Sequence, residues 1–179
     1  MSRSGTIQLG ELCERLGVGA RDARYVLEQG YIPKGVADSP DSGNYRQFGP
    51  GQAVWLGMVL KMKQFGMPTP LAAKIADFAQ QALRGVTRNL AWDWGFVPMS
   101  GRLDTQHQYV LEIADLEHIR LGTDANPSAG GRLEYFDWHP IDKPGVPVED
   151  LRPGVVVRLD LSVIAQSLAG AFGTPIRGG

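Results

Sequence analysis

Apolar residues recur at helical spacing in four places along the first half of the chain. Leu9, Leu12, Cys13 and Leu16 fall three or four positions apart, and Gly17 follows as a stop. Ala23, Val26 and Leu27 mark a second short helix over about 20–29, closed by Gly30. Only Gly17, Val18 and Gly19 separate the two, which is the spacing of a helix-turn-helix. A loop rich in Pro, Gly, Asp and Ser covers 33–43. "GNYRQF" (43–48) then alternates polar and aromatic residues like a short strand between glycines. A third helix is expected over 52–65, with Val54, Trp55, Met58, Val59 and Met62 on one apolar stripe, and a fourth over 69–83.

The second half changes period. "LAWDWGFVPMSG" is aromatic without regular spacing and reads as a packed connector. "QYVLEIADLEHIRLGT" and "RLEYFDWHP" alternate as antiparallel strands do, separated by the loop "DANPSAGG". "VVVRLDL" is a strand or the lead-in to a terminal helix. That helix carries Leu161, Ile164, Ala165, Leu168, Ala169 and Phe172 on one face, with Asp160 or Ser162 as its cap. The fold class expected is α+β. A mostly helical winged helix-turn-helix over 1–85 precedes a connector over 86–105 and a small domain over 106–179, with antiparallel strands and a C-terminal helix.

Composition narrows the setting. No run approaches the roughly 18 apolar residues of a membrane span. The opening "MSRSGTIQLGELCE" lacks the apolar core of a signal peptide. The lone Cys13 cannot form an internal disulfide, so a cytoplasmic protein is expected. The net charge of −1 hides a split: ten basic against seven acidic residues in 1–85, eight against 12 in the rest. A basic nucleic-acid module joined to a more acidic region has this asymmetry.

The strings "LGELCERLGVGARDARYVLEQGYIP", "GNYRQF" and "AVWLGMVLKMKQFGM", in that order, resemble the MerR-type winged-helix DNA-binding domain. That family has an Ile-Gly-Glu-Leu-Ala opening, a Gly-Val-Ser turn, an Arg-Tyr pair in the second helix, a Gly-Leu-Leu-Pro exit and a Gly-Tyr-Arg-Arg-Tyr wing. The counterparts are Leu9 to Cys13, Gly17 to Gly19, Arg24 with Tyr25, Gly30 to Pro33, and Gly43 to Phe48. Val26 stands where the family has a second aromatic, and Gly19 where it has a capping Ser or Thr. No effector-binding domain of the family is recognisable after Gly85. The resemblance implies DNA binding and leaves metal or drug sensing aside.

The side chains point the same way without the family. The second helix of a helix-turn-helix fits the major groove. Arg21, Arg24 and Tyr25 are three and four residues apart and share one face of it. Arginine forks onto guanine or phosphate, and a tyrosine hydroxyl donates to phosphate. Asp22 complements the helix dipole in the first turn, or accepts a hydrogen bond from cytosine N4. Arg46, beside Asn44 and Tyr45 on a tight strand, would reach an adjacent groove or the backbone. Lys61 and Lys63 lie on the polar side of the third helix, available to phosphate or to solvent.

Other candidates are weaker. Cys13 is expected as a buried structural thiol rather than a redox sensor. His107, His118 and His139 are too scattered for metal ligation, and one cysteine makes no zinc pattern. Asp93, Asp104, Asp115 and Glu117 form no catalytic pair, and no phosphate loop or nucleophile elbow appears. No enzymatic activity and no cofactor is therefore expected, and no small-molecule effector is evident. Trp92, Trp94, Phe96 and Trp138 read as core, with a ligand pocket as the other option. Leu161, Ile164, Leu168 and Phe172 offer a dimerisation face, or else pack on their own sheet.

The reading is a homodimeric, sequence-specific transcriptional regulator on an inverted repeat of double-stranded DNA. An excisionase-like factor that bends DNA at direct repeats is the nearest alternative. A protein-interaction module without DNA contact is a third, against which the basic set of Arg21, Arg24 and Arg46 argues.

Overall fold

Local sequence signals account for where the first helices begin and stop. The computed structural model describes residues 5–36, 46–89, 108–124, 132–143 and 146–172, with side chains throughout except in 81–89. Helix α1 (Leu9–Leu16) ends at Gly17, whose φ of 62° lies in the left-handed region that glycine enters without a Cβ clash. Helix α2 (Ala20–Glu28) starts from Gly19, which supplies no capping side chain, so Asp22 in the first turn is the nearest complement to the helix dipole. Strand β1 (Ile7–Gln8) pairs antiparallel with β2 (Gln47–Phe48), setting the buried Ile7 opposite the buried Phe48. Of the strand expected over 43–48, residues 43–45 lie outside the described residues, and the strand described is Gln47–Phe48.

Helix α3 (Pro50–Gln64) corrects the sequence reading. Instead of one apolar stripe, every residue from Ala53 to Leu60 is buried. The cause is position: α3 is packed against α1, α2, β2, α4 and α5 at once, so it has almost no solvent side to make polar. Its start is fixed by Pro50 at the first helical position and by Gln52, whose Oε1 accepts from the Gly49 N–H at 2.7 Å. Trp55 is buried as expected, and its indole N–H donates to Asp77 Oδ1 at 2.9 Å. Helix α4 (Thr69–Asn89) runs past the end expected for it and into the supposed connector. Connector residues 90–105 lie outside the described residues.

The rest is an antiparallel sheet and one helix. "QYVLEIADLEHIRLGT" is a hairpin of β3 (Tyr109–Ala114) and β4 (His118–Asp124). Its turn contains no glycine, yet Asp115 and Leu116 both take positive φ, 51° and 59°. Asp115 stiffens that turn by accepting from the Val155 N–H at 2.8 Å and the Gly154 N–H at 3.1 Å. Strands β5 (Leu133–Tyr135), β6 (His139–Pro140) and β7 (Val156–Asp160) complete the order β5-β4-β3-β7, with β6 also on β4.

Helix α5 (Leu161–Ala169) is capped by Asp160, whose Oδ1 accepts from the Ser162 N–H at 2.9 Å. It is seated against α1, α3 and β3. Leu161, Ile164 and Leu168 are at most 1% exposed, and Phe172 is partly buried on the same cluster. The face expected to pair protomers is thus occupied by the chain's own core. The approach is close: a Cβ on Gly57 of α3 would lie 3.0 Å from an Ile164 methyl and 3.1 Å from a Leu16 methyl. One buried cluster joins α1 to α4 with the sheet and α5. Among the described residues, no helix is long and apolar enough to cross a membrane.

Candidate nucleic-acid interface

Helix α2 divides cleanly into two sides. Ala23, Val26 and Leu27 are at most 2% exposed and lock it into the core. Arg21, Asp22, Arg24 and Tyr25 occupy the opposite, exposed face, with Tyr25 at 52% exposure despite its large ring. Among the described residues no carboxylate pairs with Arg21 or Arg24. Other cations are engaged: Arg15 Nη2 lies 2.8 Å from Glu11 Oε1, and Lys74 Nζ lies 2.9 Å from Asp142 Oδ1. Two arginines and a phenol without an internal counter-ion form a surface suited to an anion with regularly spaced charges.

Lys63 joins this face. Its Nζ sits 5.1 Å from the centroid of the Tyr25 ring, a cation–π contact between the last turn of α3 and α2. Lys61 does not share the position, because two residues along a helix diverge by about 200°. The turn before α2 is held to the same end of α3, where Gln64 Nε2 donates to the Gly17 carbonyl at 3.3 Å. Arg46, at the entrance to β2, is half-buried with its Nε sealed from solvent. Asn44 and Tyr45 lie outside the described residues.

Cys13 is buried on α1 at 3% exposure. Burial pushes its thiol above the usual range, and the nearby Arg24 charge opposes this only in part. His107 and the aromatics Trp92, Trp94 and Phe96 lie outside the described residues.

Trp138 belongs to a cluster on the sheet that the sequence reading missed. Glu112, 8% exposed, faces Arg120 in register across the hairpin, with Nη2 to Oε2 at 2.7 Å. The Arg120 guanidinium packs on the Tyr135 and Trp138 rings at 4.2 and 4.3 Å. Gly122 makes room for this, since a Cβ there would come within 2.7 Å of the Tyr135 ring. Burial, then hydrogen bonding to Glu112 and its charge, raise the Tyr135 phenol above its ordinary range. The signal was present: Glu112 and Arg120 lie equally far from Leu116, but only a recognised turn there makes them neighbours. Among the described residues, no three His, Cys, Asp or Glu side chains come together as metal ligands would.

Comparison of the chain with protein-family models, with curated proteins and with solved structures returns no significant match.

Proposed function

We propose that the chain is a cytoplasmic, sequence-specific DNA-binding regulator whose N-terminal part works as a MerR-type winged helix. The observation that carries this reading is the exposed face of α2. Arg21, Arg24 and Tyr25 stand together there, unpaired with any described carboxylate, while the opposite face is fixed in the core. In this reading α2 enters the major groove, Arg21 and Arg24 reach base edges or phosphates, and Tyr25 and Lys63 bind the backbone. The wing in this reading includes Arg46 and β2. The burial of α5 means that a homodimer on an inverted repeat would pair through a surface other than Leu161, Ile164 and Leu168.

Arg24→Ala tests the reading directly. Its affinity for a duplex enriched by the protein from a random pool is expected to fall by about 1–3 kcal/mol, with unchanged circular dichroism. Unchanged affinity for that duplex would remove α2 from the interface.

The same burial of α5 favours a second reading. A factor acting as adjacent monomers on direct repeats, bending DNA for recombination, needs no symmetric dimer face. Direct repeats in the enriched pool would select it.

A further inference from the structure

The sheet ends on one side at β7, and among the described residues that edge is open. The Asp115 N–H donates to the Val155 carbonyl at 2.9 Å, and the register sets Val157 opposite Ile113 and Leu159 opposite Leu111. Backbone groups in an antiparallel ladder turn alternately toward and away from the neighbour, so those of Val155, Val157 and Leu159 face β3. Those of Val156, Arg158 and Asp160 point outward, and no strand pairs with them among the described residues. Natural edges are blunted by proline, lysine or a bulge. β7 has none of these: its pairing with β3 is unbroken over Val156–Asp160, and Val155 and Val156 are 64% and 43% exposed. We propose that β7 pairs antiparallel with β7 of a second copy of this chain, about a two-fold axis through Leu159.

Charge selects both the partner and the register. Arg158 is exposed and forms no ion pair among the described residues; Glu112, opposite it on β3, is held by Arg120 at 2.7 Å. The Asp160 carboxylate accepts from the Ser162 N–H at 2.9 Å and from Gln108 Nε2 at 3.2 Å, but meets no cation among the described residues. About an axis through Leu159, Arg158 of each copy stands directly opposite Asp160 of the other, on one face of the joined sheet. An axis through Arg158 would set the two arginines against each other. An axis through Val157 would leave the arginines diagonal to one another and Asp160 opposite Gly154. Of the three, the Leu159 axis alone joins opposite charges. It also pairs residues whose backbone groups both point outward, so N–H and carbonyl groups exchange across the axis. The Asp160 carbonyl, which also starts α5, has a second lone pair for this. The same register runs Val155 and Val156 toward the first turn of the second copy's α5, where Val163 is exposed. An unrelated extended peptide would need an acid and a base at this spacing; a second copy brings both. The edge does not depend on the reading of α2. If that reading holds, pairing here supplies the symmetric dimer that an inverted repeat requires.

The experiment is analytical ultracentrifugation of the full chain without DNA, with amide hydrogen exchange followed by NMR at low and high protein concentration. A dimer with a Kd on the order of 100 μM or tighter is expected, as suits a small interface. The Arg158 and Asp160 amides should exchange slowly in the dimer and rapidly on dilution. Arg158→Glu should weaken association about tenfold or more, by turning two attractive pairs into two repulsive ones. Its circular dichroism should be unchanged, since the side chain is exposed. Adding Asp160→Asn, which keeps a capping side chain, should recover part of the loss, because the introduced glutamate then faces no carboxylate. A chain that stays monomeric up to several times that concentration, a dimer whose Arg158 and Asp160 amides exchange rapidly, or an Arg158→Glu variant that associates normally would each overturn the proposal. So would slow exchange of those amides at every concentration, which would mean that the chain's own residues cover the edge. With no DNA present, failure here leaves the reading of α2 standing, and failure to enrich a duplex leaves this pairing standing.

Discussion

Tyr25 and Lys63 lie far apart in sequence, yet their 5.1 Å contact couples the exposed face of α2 to the last turn of α3. Spacing along either helix alone cannot reveal such a pair, whereas the pairing of Arg21, Arg24 and Tyr25 needs only one helix and was legible. Lys63→Ala should change stability by no more than about 1 kcal/mol, because the contact is largely exposed. If Lys63 meets phosphate, the same variant should lower the salt slope of DNA binding by about one. Parallel measurement of urea unfolding and of affinity across salt concentrations separates the two effects. Cys13 was legible as buried from the apolar spacing of α1. Its raised pKa keeps it a neutral thiol, and the associated stability is complete below the ordinary thiol pKa. That contribution declines as pH rises through the raised value. Native protein should therefore resist iodoacetamide near pH 8 and react once unfolded in guanidinium, which mass spectrometry of the alkylated chain would show. Rapid native labelling would contradict the buried placement.

At the scale of elements, helices were read closely because a 3.6-residue period and a glycine stop are local signals. The antiparallel strands expected in the second half are present, but two details of pairing were not legible. β1 and β2 are two residues each, too short for any alternation, and the β3–β4 turn uses Asp115 and Leu116 where glycine is the usual marker. The apolar face of α5 was identified, but an amphipathic helix looks the same whether its partner is its own core or a second protomer. Its observed seat gives a sharp expectation. Leu168→Ala should destabilise the protein by about 2–5 kcal/mol, as truncation of a fully buried leucine does. Gly57→Leu should cost about 1–3 kcal/mol by overfilling the crossing of α1, α3 and α5. Adding Ile164→Ala should recover part of that loss, because the two changes share one volume. Chemical denaturation of the single and double variants measures this coupling, and strict additivity would contradict the crossing.

For the molecule as a whole, the charge split was visible in sequence, but the joint packing of its two parts was not. Leu12 and Leu16 from α1, Val59 from α3, and Ile164 and Leu168 from α5 share one buried cluster. Unfolding should accordingly be a single transition, with far-ultraviolet circular dichroism and tryptophan fluorescence coinciding. Two separated transitions would mean that the strands and α5 fold independently of α1 to α4. Shared packing also ties the sheet and α2 into one body.

The central claim is that α2 reads DNA. The most direct test is selection of bound duplexes from a random pool by the purified full chain, followed by affinity for the winner across salt concentrations. The account expects a defined sequence to be enriched, with the logarithm of affinity falling linearly as the logarithm of salt rises, through release of counterions from phosphate. No enrichment even at low salt would contradict it, and Arg21, Arg24 and Tyr25 would then be a solvated helix face.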